Sequence, residues 1–418
     1  MRTLSFFIIL AGLIMIVFCH KKSPTESPPN NIIHPQVDIP WPSLANSPWP
    51  IAQGNIQCTG RGKTPGPTSG TIEWVFTTEK MGKTYGSPVI GEDGTIYVST
   101  SNQLYAINPN GTLKWEFSKG PMTLSNVMVG AGDIVYFSCG NVNLDPNFAG
   151  YLYALNGDGE LLWEYRTPGM IYNYSSTIGL DGTIYFTDLY VPNFTDVAGF
   201  LYAVSPDGNL QWKVWGTGGF RCGDLNSISI SPHGTILYVA GMDSTMNAAD
   251  AQSGMIIWQK KTGFNLKTAA LVDNDGNVYF LGQNGDHSNY ILSVTEAGEV
   301  RWKCEIEEVK YIDDQADIHM DKEGNIYFCN GFYLCSIDYF GSLRWKVPFP
   351  EGLCPSTPII GDSEGNVFLM LSSENVFSYD SKGNKRFEID IGPASGINGA
   401  IANSRLYVNH YLKLTCIK

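Results

Sequence analysis

The sequence predicts an all-β chain, an eight-bladed β-propeller of four-stranded antiparallel blades, with the ring closed by an N-terminal strand pairing into the last blade. Three observations carry this. First, a Gly-centred turn and a short strand closing on an aromatic recur as SGTIEW, NGTLKW, DGELLW, DGNLQW, SGMIIW, AGEVRW, FGSLRW and KGNKRF, ending at Trp74, Trp115, Trp163, Trp212, Trp258, Trp302, Trp345 and Phe387. Units of roughly 40–50 residues built from short strands and turns are propeller blades. Second, eight upstream strands end in Tyr97, Tyr136, Tyr185, Tyr238, Tyr279, Tyr327, Phe368 and Tyr407, most of them fed by Asp-Gly or Glu-Gly turns. Third, the phase of the repeat is offset: the first match supplies only an outer strand, and the chain ends after three strands of its last unit. The missing outer strand of blade 8 must come from the N-terminus, which removes two open sheet edges.

Along the chain, 1–19 reads as a signal segment ending in a lipobox-like Cys19. Arg2 is followed by an apolar run over 4–18, too short for a comfortable membrane span. Lipidation at Cys19 is expected, with an uncleaved anchor as the alternative; Phe18 departs from the small residue usual before such a cysteine. Residues 20–50, rich in Pro and Ser and without periodicity, are expected to form an extended tether, and 51–418 the propeller. Within each blade the strands run from inner A through B and C to outer D, which bears the repeated aromatic.

Composition narrows the function. The 418 residues are 43% apolar with a net charge of −13, so a large strand core is expected and nucleic acid is excluded as a partner, since phosphate binding needs a basic face. Seven of the ten tryptophans occupy the repeat position, so they serve architecture. Besides Cys19 there are eight cysteines with irregular spacing. Cys329 and Cys335 flank a hairpin, leaving a cross-strand disulfide or buried free thiols as alternatives. No CxxC, HExxH, GxSxG or phosphate-cradling glycine loop occurs, and the six His have no metal spacing.

Loop lengths point to a working face. The A–B and C–D turns are short throughout, whereas the D–A connections and two B–C loops, 139–151 and 187–200, are long. Long loops on a rigid frame are where binding sites sit. On that face Tyr172, Asn173 and Tyr174 suit stacking on a sugar or a peptide, with packing over the funnel mouth as the competing reading. Arg221, Asp224 and Asn226 form a ligand clamp or a loop-shaping ion pair. Asp313, Asp314 and Asp317 bunch carboxylates as calcium sites do, but without EF-hand order, so solvated charge competes. If strand A begins near Asp317, then Asp317 and His319 share a face, but no partner for acid–base work accompanies them.

The repeat resembles the pyrroloquinoline-quinone-type (PQQ-like) propeller family over about 70–418. That family's tryptophan-docking motif is matched in register by Ala248, Asp250, Ser253, Gly254 and Trp258, while other blades, such as AINPNGTLKW, are one residue shorter. The stretch 49–62, WPIAQGNIQCTGRG, resembles the lead-in common before such propellers. The resemblance implies two functions. One is the non-catalytic lipoprotein branch typified by BamB, a docking surface in outer-membrane barrel assembly. Its implied setting is the bacterial cell envelope, with a lipid anchor and an envelope protein as partner. The other is a PQQ- and calcium-dependent alcohol or sugar dehydrogenase. Such enzymes often stack the quinone on a vicinal disulfide, and this sequence has no adjacent cysteines. Nor does any Glu, Asn and Asp set map onto matching motif positions. The expectation is a scaffold without cofactor, with the dehydrogenase or a polysaccharide-binding propeller as the alternative.

Overall fold

The computed structural model describes residues 33–77, 86–101, 103–119, 123–140, 149–169, 171, 176–188, 190–193, 196–215, 228–241, 244–263, 269–284, 288–306, 318–330, 333–349, 359–370, 374–392, 398–410 and 412–418. They form eight four-stranded sheets and one two-stranded ribbon. Every sheet is antiparallel, as in blade 1, where Val89–Ile90, Ile96–Ser99, Leu104–Ile107 and Leu113–Phe117 follow in chain order. The expected closure is present. Strand D of blade 8 is Ile72–Thr77, paired antiparallel with the C-terminal strand Lys413–Ile417, and Thr71 and Lys418 exchange both backbone hydrogen bonds.

The repeated aromatic joins each blade to the next. The Trp163 ring lies on Gly208 of the following blade so closely that a Cβ there would fall 2.8 Å from it, and Gly208 holds φ +83°. Glycine is required on both counts. The same contact runs from Trp74 onto Gly111 and around to Phe387 onto Gly70, so the ring is continuous. Six tryptophans also donate their indole N–H to a carbonyl of that next blade, at 2.8–3.2 Å. The Trp212 indole nitrogen is buried without such a partner among the described residues. The blade 4 turn it meets is the longer, family-like one, in which the Asp250 carboxylate instead accepts from Ser253.

The cysteine alternatives resolve through register. Cys335 lies opposite Phe328 and Cys329 opposite Leu334, so the two thiols face opposite sides of one sheet. Both are buried thiols outside any disulfide, as are Cys58, Cys139, Cys304 and Cys416.

One expectation is corrected. The composition of 20–50 suggested an unpacked tether, yet residues 33–50 lie against the propeller. Trp41, Leu44, Ala45 and Ser47 are buried, and Trp49 is wholly enclosed. The stretch 41–66 meets every blade at the A–B end of its innermost strand or in the turn that follows. Trp41 donates to the Ile178 carbonyl, Ala45 to Val129 and Ser47 to Ile90, while Ile56, Gln57, Thr59, Gly60 and Pro65 accept from Ile230, Val272, Met320, Gly361 and Ser404. It is a plug across the ring axis. Proline and serine suit it because its partners are the backbone edges of eight separate strands, which demand no helix or strand periodicity. Residues 1–32, with Cys19, lie outside the described residues.

Candidate functional site

The two ends of the channel differ in chemistry. At the A–B end the plug closes the axis around His319, Arg61 and Trp49. His319 is fully buried, stacked on Tyr327 with ring centroids 5.4 Å apart. Its Nδ1 lies 2.8 Å from the Thr59 carbonyl, which makes Nδ1 the protonated nitrogen. Nε2 faces Gly361 and has no partner among the described residues. Burial lowers the His319 pKa to about 4, assisted by Arg61 and opposed by the Thr59 hydrogen bond and by Asp321 and Asp362. The imidazole is therefore neutral at pH 7 and holds the plug. Arg61, also buried, donates to the carbonyls of Asp321 and Val37 and pairs with Asp38 at 3.2 Å. His319 is committed to the lead-in through Nδ1, and Asp317, expected to share its face of strand A, lies outside the described residues.

At the opposite end, the roots of the long loops are ordered. In blade 3 the buried Asp188 binds three donors from both sides of the loop base. Its carboxylate accepts from the Phe200 N–H at 2.8 Å, the Tyr202 hydroxyl at 2.8 Å and the Gly169 N–H at 3.2 Å. Burial raises its pKa, while those hydrogen bonds lower it. Asp188 thus ties the start of the B–C loop to its end and to the preceding D–A connection. Within that loop Tyr190–Asn193 and Asp196–Ala198 pair as a ribbon. Phe186 stacks on Tyr202 at 4.9 Å, with planes 2° apart.

On the rim above this base sits an aromatic platform. Phe200, first residue of strand C, meets Trp215, last of strand D, edge to face at 4.6 Å, and Lys213 Nζ lies 4.9 Å over the Phe200 ring. Trp215 is 40% exposed, whereas Trp41 and Trp49, the other two tryptophans off the repeat position, are buried in the plug. Sequence reasoning passed over Trp215, although a tryptophan three residues beyond the repeat position was the available signal. It stands at the root of the D–A connection that carries Arg221 and Asp224. Blade 2 is built likewise at its loop base, with Phe137 on Tyr153 at 5.2 Å and Tyr151 on Tyr153 at 5.9 Å. Burial pushes the neighbouring Cys139 thiol up to about 12, so it is no nucleophile.

Tyr172, Asn173, Tyr174, Arg221, Asp224, Asn226, Asp313, Asp314 and Asp317 all lie outside the described residues. Their loops spring from the end that carries the platform. Quinone chemistry of the family needs calcium held by several converging oxygens. Among the described residues no group of three or more His, Cys, Asp or Glu side chains converges. What the described rim offers is flat apolar area with a cation beside it, which suits binding.

Comparison with known proteins agrees with this architecture. The model of the family described as outer membrane protein assembly factor BamB matches residues 59–179 and 197–408. No curated protein sequence shows significant similarity. Among solved structures, quinohemoprotein alcohol dehydrogenase from Comamonas testosteroni superposes with a TM-score of 0.64 at 12% identity, covering 88% of this chain and 80% of its own. BamB from Moraxella catarrhalis gives 0.59 at 13%, covering 83% and 99%. A europium-containing methanol dehydrogenase gives 0.65 at 11%, covering 87% and 90%. At such identities the likeness is one of fold, shared by binding proteins and enzymes alike.

Proposed function

From the premise that the chain belongs to the PQQ-like propeller family of outer membrane protein assembly factor BamB, we propose that it is a non-catalytic scaffold of the bacterial cell envelope, exported, anchored through Cys19, and binding another envelope protein through its looped face. The observation that carries this reading is the contrast between the channel ends. One is occupied by the chain's own lead-in, and the other presents Trp215, Phe200 and Lys213 beside the long loops. Exposed tryptophan beside a cation is the composition of an interface anchor. The partner that fits the family is an outer-membrane barrel protein or its assembly machinery. Cross-linking and affinity capture of the tagged protein from its native envelope, read by mass spectrometry, tests this. Enrichment of a barrel protein and its companions supports the reading, and capture at the level of an untagged control contradicts it.

The dehydrogenase neighbours favour one competing reading, a PQQ- and calcium-dependent alcohol or sugar dehydrogenase. Saturable quinone binding that requires calcium, with dye reduction on adding an alcohol or sugar, would replace the scaffold reading. A polysaccharide-binding role would show instead as glycan-array signal lost in Trp215→Ala.

A further inference from the structure

Strand D is the outer edge of every blade, and in all eight it carries a β-bulge at the residue before the closing aromatic. In six blades the bulged residue is polar and turns back onto its own blade. Arg301 donates to the Tyr279 hydroxyl and to Ser293, Arg344 to Ser336, Arg386 to Ser378 and Lys114 to Asp93, at 2.8–2.9 Å. Gln211 accepts from Thr183, and Glu73 pairs with Arg405. These contacts cover the edge with bonded polar groups, a usual defence of an exposed strand.

Blade 4 abandons the pattern most fully. Its bulged residue is Ile257, and Met255, Ile256 and Ile257 are 68%, 41% and 51% exposed. No other run of three exposed large apolar side chains occurs among the described residues. The Tyr238 hydroxyl, which corresponds to that of Tyr279, is buried without a partner among the described residues, a state that lowers stability. Local rules broken without compensation within the fold are expected where function requires it. The strand then continues as Gln259, Lys260 and Lys261, without an acidic residue, in a chain whose net charge is −13.

We propose that the outer edge of blade 4, Met255 followed by Ile256–Lys261, is a docking edge for an extended segment of a partner protein. The segment adds to the sheet as a fifth strand, with apolar residues against Met255–Ile257 and acidic residues against Lys260 and Lys261. The outward backbone groups of the edge supply affinity and the two side-chain sets supply register, as in other strand-addition complexes. Opposite charge favours an acidic segment and disfavours a basic one. The inference does not rest on the looped-face reading, because Met255–Ile257 begin strand D at the opposite end of the blade.

The test uses the full chain and a fluorescein-labelled nonapeptide with valines in one half and glutamates in the other, followed by anisotropy and by hydrogen exchange. The expected result is saturable binding that slows exchange at the amides of Ile256–Lys261 and leaves Val300–Ile306 of blade 5 unchanged. Methylating alternate backbone nitrogens of the peptide should abolish it. Ile257→Arg should weaken binding about tenfold or more while raising the melting temperature, because the guanidinium reaches the Tyr238 hydroxyl. Lys260→Glu with Lys261→Glu should weaken it comparably without that rise. Absence of binding overturns the proposal. So does binding indifferent to Ile257→Arg, binding retained by the methylated peptide, or association of this edge with anionic vesicles in place of the peptide.

Discussion

The lead-in and the blade 3 rim both gather tryptophan and basic side chains, yet they use them in opposite ways. In the lead-in, Trp49 and Arg61 are enclosed, the indole packed inside the chain and the guanidinium bonded to the chain's own carbonyls. On the rim, Trp215 and Lys213 flank Phe200 and leave the indole part-exposed. The contrast teaches that residue type alone does not mark a site in this molecule; what matters is whether the side chain closes the ring or stands on it. It also divides the expected effects of substitution, with stability lost at the plugged end and binding lost at the looped end.

The largest effect should come from Trp49→Ala. Removing a fully enclosed indole at the axis should cost about 3–5 kcal/mol in denaturant unfolding, with partner capture intact in the fraction that stays folded. Loss of stability below about 1 kcal/mol would dissolve the contrast.

His319 makes the plugged end pH-sensitive. Its folded pKa is about 4, below the ordinary His value, so the unfolded chain takes up the proton first as pH falls. The neutral imidazole's contribution is complete above about pH 6.5 and is lost progressively on the way down to about pH 4, amounting to roughly 3 kcal/mol. Urea unfolding of the native chain and His319→Gln at several pH values should show the steeper acid slope in the native chain. Parallel slopes would mean that the imidazole is not held neutral.

At the same end, Gly208→Ala sets a Cβ against the Trp163 ring and forces a strained φ. A loss of about 1–3 kcal/mol is expected, read as a lower denaturation midpoint. The smallest stability effect belongs to Trp215→Ala, about 1 kcal/mol or less for a part-exposed ring, but with binding weakened at least about tenfold. If that variant unfolds as Trp49→Ala does while binding normally, the rim is architecture and the comparison fails.

The sequence made the blades legible because each Trp–Gly contact is local to one turn and repeats with the blade. The closing strand at Ile72–Thr77 was legible for the same reason, through the phase of the repeat. The plug was not legible: 41–66 satisfies its hydrogen bonds on eight backbone edges distant in sequence, and its prolines mimic a tether. Trp215 was within reach, as a tryptophan out of register with the repeat, but its exposure depends on the pairing of Phe200 with the last residue of strand D. The bulge rule needed the sheet register, since GMIIW and GEVRW read alike until the side chains of Ile257 and Arg301 are followed.

The most direct test of the central claim places a photo-cross-linking amino acid at Trp215 in one protein and at Phe340 in another, both in the native envelope. Phe340, 46% exposed, lies in the turn between strands C and D of blade 6 at the plugged end, so the two sites match in exposure and differ in face. Adducts with a single envelope protein at position 215 and none at 340 are the predicted result. Equal adducts at both positions, or adducts at 340 alone, would contradict a looped working face.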